Sequence, residues 1–278
     1  MIGSGSLLRS SRDASSSRIS PVFLGILAAL GVAGWMCWTA DYDTTKAKYA
    51  VFAFVFIGWI ASLCVHEYSH ARVALWGGDS SVVGRGYLTL NPLKYLHPGL
   101  SLLLPLVFLA IGGIGLPGGA VWINRGAIRD PRKQSLMSLA GPGSNFVMGM
   151  ALASVVRLMN LTVDNRAVFG SALSYLAVLQ FIAAILNILP VPGLDGFGAI
   201  EPFLSRETLQ KLAPVRQYGI FILFFLSFRV PAFSDLVFGN SDRLAEIFGV
   251  PGLGEGLLDQ FNLADVGREI FRSVISLT

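Results

Sequence analysis

Long, predominantly apolar runs dominate the chain, at residues 21 to 39, 50 to 76, 134 to 158, 172 to 190 and roughly 215 to 233. A helix needs about 20 apolar residues, at about 1.5 Å each, to cross the ~30 Å hydrocarbon of a bilayer. Backbone amides find no water there, so such runs are confined to structures that satisfy their own hydrogen bonds. The expected fold is an all-α polytopic membrane protein with about five to six transmembrane helices. Only 14% of the 278 residues are charged, against roughly a quarter in soluble domains. The net charge of +4 is scattered over loops without a basic stripe, which argues against nucleic acid as a partner. Cys37 and Cys64 both fall inside apolar runs, so no disulfide framework is read from them.

Residues 1–20 are serine-rich and carry Arg9, Arg12 and Arg18, which reads as a disordered cytoplasmic tail. The run that follows is expected to stay as an anchor. It is longer than a leader's apolar core, and bulky Trp38 stands where cleavage after Ala40 would need a small residue. With the amino terminus inside, the helix from 50 to 76 runs inward and emerges near Arg72. Arg125, Arg129, Arg132 and Lys133 mark the start of the next span as inside too. The organisation expected is therefore a tail over 1–20, a membrane-embedded domain over 21–233 and an amphipathic carboxy-terminal tail over 234–278.

Residues 100–116, "LSLLLPLVFLAIGGIGL", lie between two inside loops. Parity, Pro105 and the Gly112, Gly113 and Gly115 cluster all favour a re-entrant or interfacial element over a crossing. Upstream, "SVVGRGYLTLNP" has β-branched and aromatic residues between turn formers and predicts a short strand or β-hairpin.

The chemistry concentrates in "VHEYSHARVALW", residues 65 to 76, which holds two of the three histidines and the first glutamate of the chain. On a helix His66 and His70 project from one face, one turn apart, the spacing at which two imidazoles share one zinc ion. Glu67, offset around the helix, addresses water at that ion and becomes a base. Ionisable groups inside a membrane are costly and mark function by default.

A catalytic zinc usually takes three protein ligands and keeps one open position. No glutamate occurs between His70 and Glu201, and Asp79, Asp130 and Asp164 stand in polar loops. Asp195 differs, lying in "NILPVPGLDGFG", where Pro190 and Pro192 break a helix at its inward end. Backbone freed in that way survives at membrane depth only where it lines a protein-enclosed or wet cavity. His66 lies roughly 24 Å from the outer start of its helix, and Asp195 follows a helix that also runs inward, so the two levels agree.

With those residues identified, the chain resembles the site-2 protease family of intramembrane zinc metalloproteases. The match rests on "HEYSH" (residues 66–70), "AGPGSN" (140–145) and "NILPVPGLDG" (187–196), supported by "GYLTLNPLKYLHP" (86–98). The resemblance implies one Zn2+ per chain held by His66, His70 and Asp195, with Glu67 as catalytic base and Asn187 steadying the substrate backbone. Gly141 and Gly143 would let their helix approach its neighbours closely, and Asn145 either cross-links helices or simply packs. Two departures stand out. His97 replaces the aspartate common before the proline and reads either as a contact to the metal in a resting state or, more in keeping with its distance from the two core motifs, as a loop histidine without that role, and "DGFGAI" replaces a "DGGR"-like continuation.

The activity implied is hydrolysis of peptide bonds within or near transmembrane segments of membrane proteins, in a multi-pass cell-membrane protein with its site toward the cytoplasm. An extended substrate would add to a strand at Tyr87, Leu88, Thr89 and Leu90. Two other classes use the same residues. A metal transporter or sensor would ask for polar groups strung along a path, whereas here they gather at one level; a catalytically inactive scaffold would bind membrane segments without cutting.

Overall fold

The computed structural model describes residues 18–42, 44–95, 121–161, 167–216 and 218–250. The expectations placed on residues 1–17, His97, residues 100–116 and the chain beyond 250 lie outside these ranges. Among the described residues four helices are long and apolar enough to cross a membrane. They are α1 (Pro21–Trp38), α2 (Thr45–Gly77), α3 (Pro131–Leu158) and α4 (Ala167–Ile188).

Their starts follow from local chemistry. Ser20, Thr44 and Asp130 each accept a backbone N–H from the first turn of the helix they precede, which satisfies one of the donors a helix start leaves free. Pro21 and Pro131 occupy the first helical position, where a missing N–H costs nothing. α2 stops at Gly78, whose φ of 122° suits glycine alone; its amide bonds back to the Ala74 carbonyl at 3.0 Å.

The stretch expected as a span at 215–233 is broken. Its helix, α7 (Gly219–Arg229), has eleven residues, about 16 Å and half a bilayer core. Val230 then leaves helical geometry ahead of Pro231. The expected strand is not formed either. Ser81–Gly84 is a single helical turn, and Tyr87–Thr89 and Pro92–Lys94 are 3₁₀ turns. Gly86 and Leu90 take positive φ on either side of the first 3₁₀ turn, so the chain curls where a strand would extend, and the Thr89 carbonyl is taken by the Ser20 N–H at 2.8 Å. Too few residues separate the turn formers for alternation to prevail.

α4 is the inner helix, buried along most of its length, while α1 lies outermost and exposes Leu24, Leu27, Val32 and Trp35. Small residues set the close approaches. A Cβ on Gly58 of α2 would meet Leu176 of α4 at 2.6 Å, and one on Gly149 of α3 would meet the Phe181 ring at 2.7 Å. This is the small-residue packing expected between membrane helices, where burial in lipid gives no hydrophobic drive. Gly77 abuts Ile128, so α2 ends at the level where α3 is about to begin.

After α4, residues 189–194 form a tight turn with Gly193 at φ 105°. The short α5 (Asp195–Ile200) follows, then α6 (Arg206–Arg216) and α7. Gly196 is required because a Cβ there would collide with the Ile188 carbonyl, so α5 folds directly against the end of α4. Beyond α7, α8 (Asn240–Ile247) packs on α4, and Phe248 stacks on Phe181 with centroids 5.9 Å apart.

Candidate metal centre

His66 and His70 sit in the second half of α2, 6% and 5% exposed, with a carboxylate brought to them from α5. The two Nε2 atoms are 3.0 Å apart, and Asp195 Oδ2 lies 3.3 Å from each. Among the described residues no other group of three such side chains converges this way.

What lies behind the rings decides which atoms face the centre. The Nδ1–H of His70 donates to the Met137 carbonyl at 2.7 Å, and the Nδ1–H of His66 donates to Asn145 Oδ1 at 2.8 Å. Both partners are on α3, and a carbonyl oxygen only accepts, so each neutral ring spends its one N–H on that helix. Both Nε2 lone pairs then point at each other and at a carboxylate, an arrangement that needs a cation between them.

The residues fit zinc. Donors about 2.0–2.1 Å from a tetrahedral ion stand about 3.3 Å from one another, close to the 3.0, 3.3 and 3.3 Å separations here. Gly141 of α3 faces the same spot. A Cβ there would collide with His70 Nε2 and come within 2.5 Å of His66 Nε2. Gly143, expected to serve the same close approach, has nothing within 4 Å of a Cβ. Asn145 is a hydrogen-bond partner of a metal-type ligand as well as a packing residue.

Glu67 is 3% exposed, and its Oε2 accepts the Val121 N–H at 2.9 Å. The segment that brings Val121 there is fastened further along: Asp79 Oδ2 accepts the Asn124 N–H at 2.8 Å, and Arg85 donates to the Trp122 carbonyl at 3.0 Å. Sequence reading missed this partner because a backbone amide carries no side-chain signal. Asn187, at the end of α4, is 5% exposed and donates from Nδ2 to the Ala183 carbonyl at 2.9 Å. Tyr87, Leu88, Thr89 and Leu90 form the 3₁₀ turn and its cap rather than a strand edge. Gly198 stands where the resemblance leads one to expect arginine, and the Arg125 guanidinium reaches that spot from another element, its Nη1 3.0 Å from the Gly198 carbonyl.

Relatives of known name share most of the chain. A Mycobacterium tuberculosis protein named "Putative zinc metalloprotease Rip2" is 44% identical over 236 residues, 84% of this chain and 90% of the relative. The protein of the same name from Mycolicibacterium smegmatis is 46% identical over 209 residues, 75% of this chain and 80% of its own length. "Putative zinc metalloprotease YwhC" of Bacillus subtilis is 32% identical over 184 residues, 64% of this chain and 81% of that protein. No family model matches the chain, and no solved structure matches it.

Proposed function

Because the chain belongs to the site-2 protease family of membrane zinc metalloproteases, we propose that it hydrolyses peptide bonds within or near the transmembrane segments of membrane proteins. The observation that carries this reading is the triangle of His66, His70 and Asp195 at 3.0, 3.3 and 3.3 Å, with its lone pairs facing inward beside Gly141. His66, His70 and Asp195 would hold the zinc. Bound there, zinc supplies a Lewis acid for the scissile carbonyl and lowers the pKa of its water.

The chain's own groups do the rest. Glu67, one residue along from His66, takes the proton from the attacking water and returns it to the leaving amine. The Val121 N–H holds one of its two carboxylate oxygens and so fixes the direction in which the other works. Asn187 steadies the substrate backbone with the second hydrogen of its Nδ2. Burial of the histidines and Glu67 keeps bulk water from diluting these interactions.

The charge pattern of the loops supports a cytoplasm-facing site. Substrates of the expected class are single-pass membrane proteins, such as anti-sigma factors or leftover signal peptides, whose helices must locally unwind to present a carbonyl.

The test is cleavage of a transmembrane-helix substrate by the purified chain in detergent. Wild type is expected to cut, while Glu67→Gln and chelator-treated protein fall by at least about a hundredfold, the lower range for general acid–base catalysis. Equal cleavage in all three samples would overturn the reading.

A further inference from the structure

The donors of the metal centre come from unlike supports. Both histidines are braced from behind by α3, through Met137 and Asn145. Asp195 opens a six-residue helix that follows a proline-glycine turn, and nothing within so short an element fixes where its carboxylate stands relative to the imidazoles. That register has to come from ties between α5 and α3.

Two such ties exist, and both use carbonyls that α5 is too short to satisfy internally. The Ser135 hydroxyl of α3 donates to the Ala199 carbonyl at 2.5 Å. The Arg125 guanidinium spans the remaining gap, with Nη1 donating to the Gly198 carbonyl and Nη2 to Ser138 Oγ, each at 3.0 Å. Nη1 also faces Glu201 Oε2 at 3.6 Å. Ser138 directly follows Met137, whose carbonyl anchors His70, and Gly198 lies three residues beyond Asp195. One planar cation therefore joins the histidine brace to the aspartate helix. A positive group at the carboxy-terminal end of a helix also meets the partial negative charge there. The fit is tight, since a Cβ on Gly198 would stand 2.6 Å from Nη2.

We propose that Arg125 is the positioning residue of the metal centre: it sets the reach of the Asp195 carboxylate toward His66 and His70 by locking α5 onto α3. This rests on the reading of Asp195 as a zinc ligand. The backbone around Arg125 has its own anchor, because Gln134 Nε2 donates to the carbonyls of Arg125 and Ile128 at 3.2 and 2.7 Å. Loss of the side chain thus leaves the turn in place.

The experiment compares full-length wild type, Arg125→Ala, Asp195→Ala and the double variant, purified in detergent. It measures zinc affinity by chelator competition and the visible spectrum of the cobalt(II) form. Arg125→Ala is expected to weaken zinc by about 10–100-fold, as loss of a ligand's support does, and to alter the cobalt bands. In the Asp195→Ala background the same substitution is expected to change nothing further, because it acts through that carboxylate. Wild-type affinity and spectrum in Arg125→Ala, alongside a clear loss in Asp195→Ala, overturn the proposal and leave the ligand reading standing. Multiplying losses in the double variant overturn it as well, since they indicate general damage to the fold. Unchanged affinity in Asp195→Ala defeats the ligand reading and the proposal together. Should Arg125→Ala not survive purification, Ser138→Ala removes the acceptor of Nη2 alone; a several-fold loss of affinity is expected, and unchanged affinity overturns the proposal.

Discussion

The histidine half and the aspartate half of the centre are built by opposite means. His66 and His70 ride on one 33-residue helix, and a spacing of four residues alone puts them on one face. Asp195 rides on a six-residue helix after a tight turn, and its position is a sum of contacts: Gly196 against the end of α4, and Ser135 and Arg125 from outside. Stiffness on one side and adjustability on the other suit a site that must hold a metal firmly and still leave one position for water and substrate. A rigid frame with a tied-on arm also explains why the ties fall on α3, the helix that braces the histidines.

The largest effect is expected where the stiff half has no room. Gly141→Ala would set a methyl group among the Nε2 atoms, and neither α2 nor α3 can shift without losing its packing. Bound zinc is expected to fall from one per chain to near zero with helical content retained, read by metal analysis beside circular dichroism; full occupancy would mean that the frame is softer than its packing indicates.

A smaller loss separates the two halves. Asn145→Leu leaves the His66 Nδ1–H buried without an acceptor, at about 1–3 kcal/mol, and zinc affinity is expected to drop about 10–100-fold. On the other half, Ser135→Ala removes one tie while Arg125 keeps its own, so the loss is expected to stay under about tenfold, a net hydrogen bond being worth about 0.5–1.5 kcal/mol. Titration against a chelator ranks them, and the reverse order would break the contrast.

The smallest effect belongs to Gly143→Ala, two residues from Gly141. With open space around its Cβ, alanine is expected to leave zinc binding alone and to stabilise the helix by about 0.5–1 kcal/mol, visible as a slightly higher melting temperature.

These contrasts track what could be read before any coordinates. The spans of α1 to α4 were legible because a bilayer imposes length and hydropathy on each segment separately. The stretch at 215–233 was apolar enough to pass the same test, but Pro231 and the loss of helical geometry at Val230 divide it. The strand expected at Tyr87–Leu90 failed for a similar reason: residue preference spoke for extension, while positive φ at Gly86 and Leu90 and the Ser20 contact turned the chain. Gly141 and Gly143 look alike in "AGPGSN", and only the neighbours of each separate them.

By itself the sequence determined a membrane-embedded helical protein and the pairing of His66, Glu67 and His70, because both follow from periodicity within one segment. It also marked Asp195, since few carboxylates lie near broken backbone in an apolar chain. Only the tertiary structure decided that Met137 and Asn145 orient the imidazoles, that the Val121 amide holds Glu67, and that Arg125 joins α3 to α5. Those are contacts between segments far apart in the chain, several of them through backbone atoms common to every residue, and no local pattern of side chains specifies them.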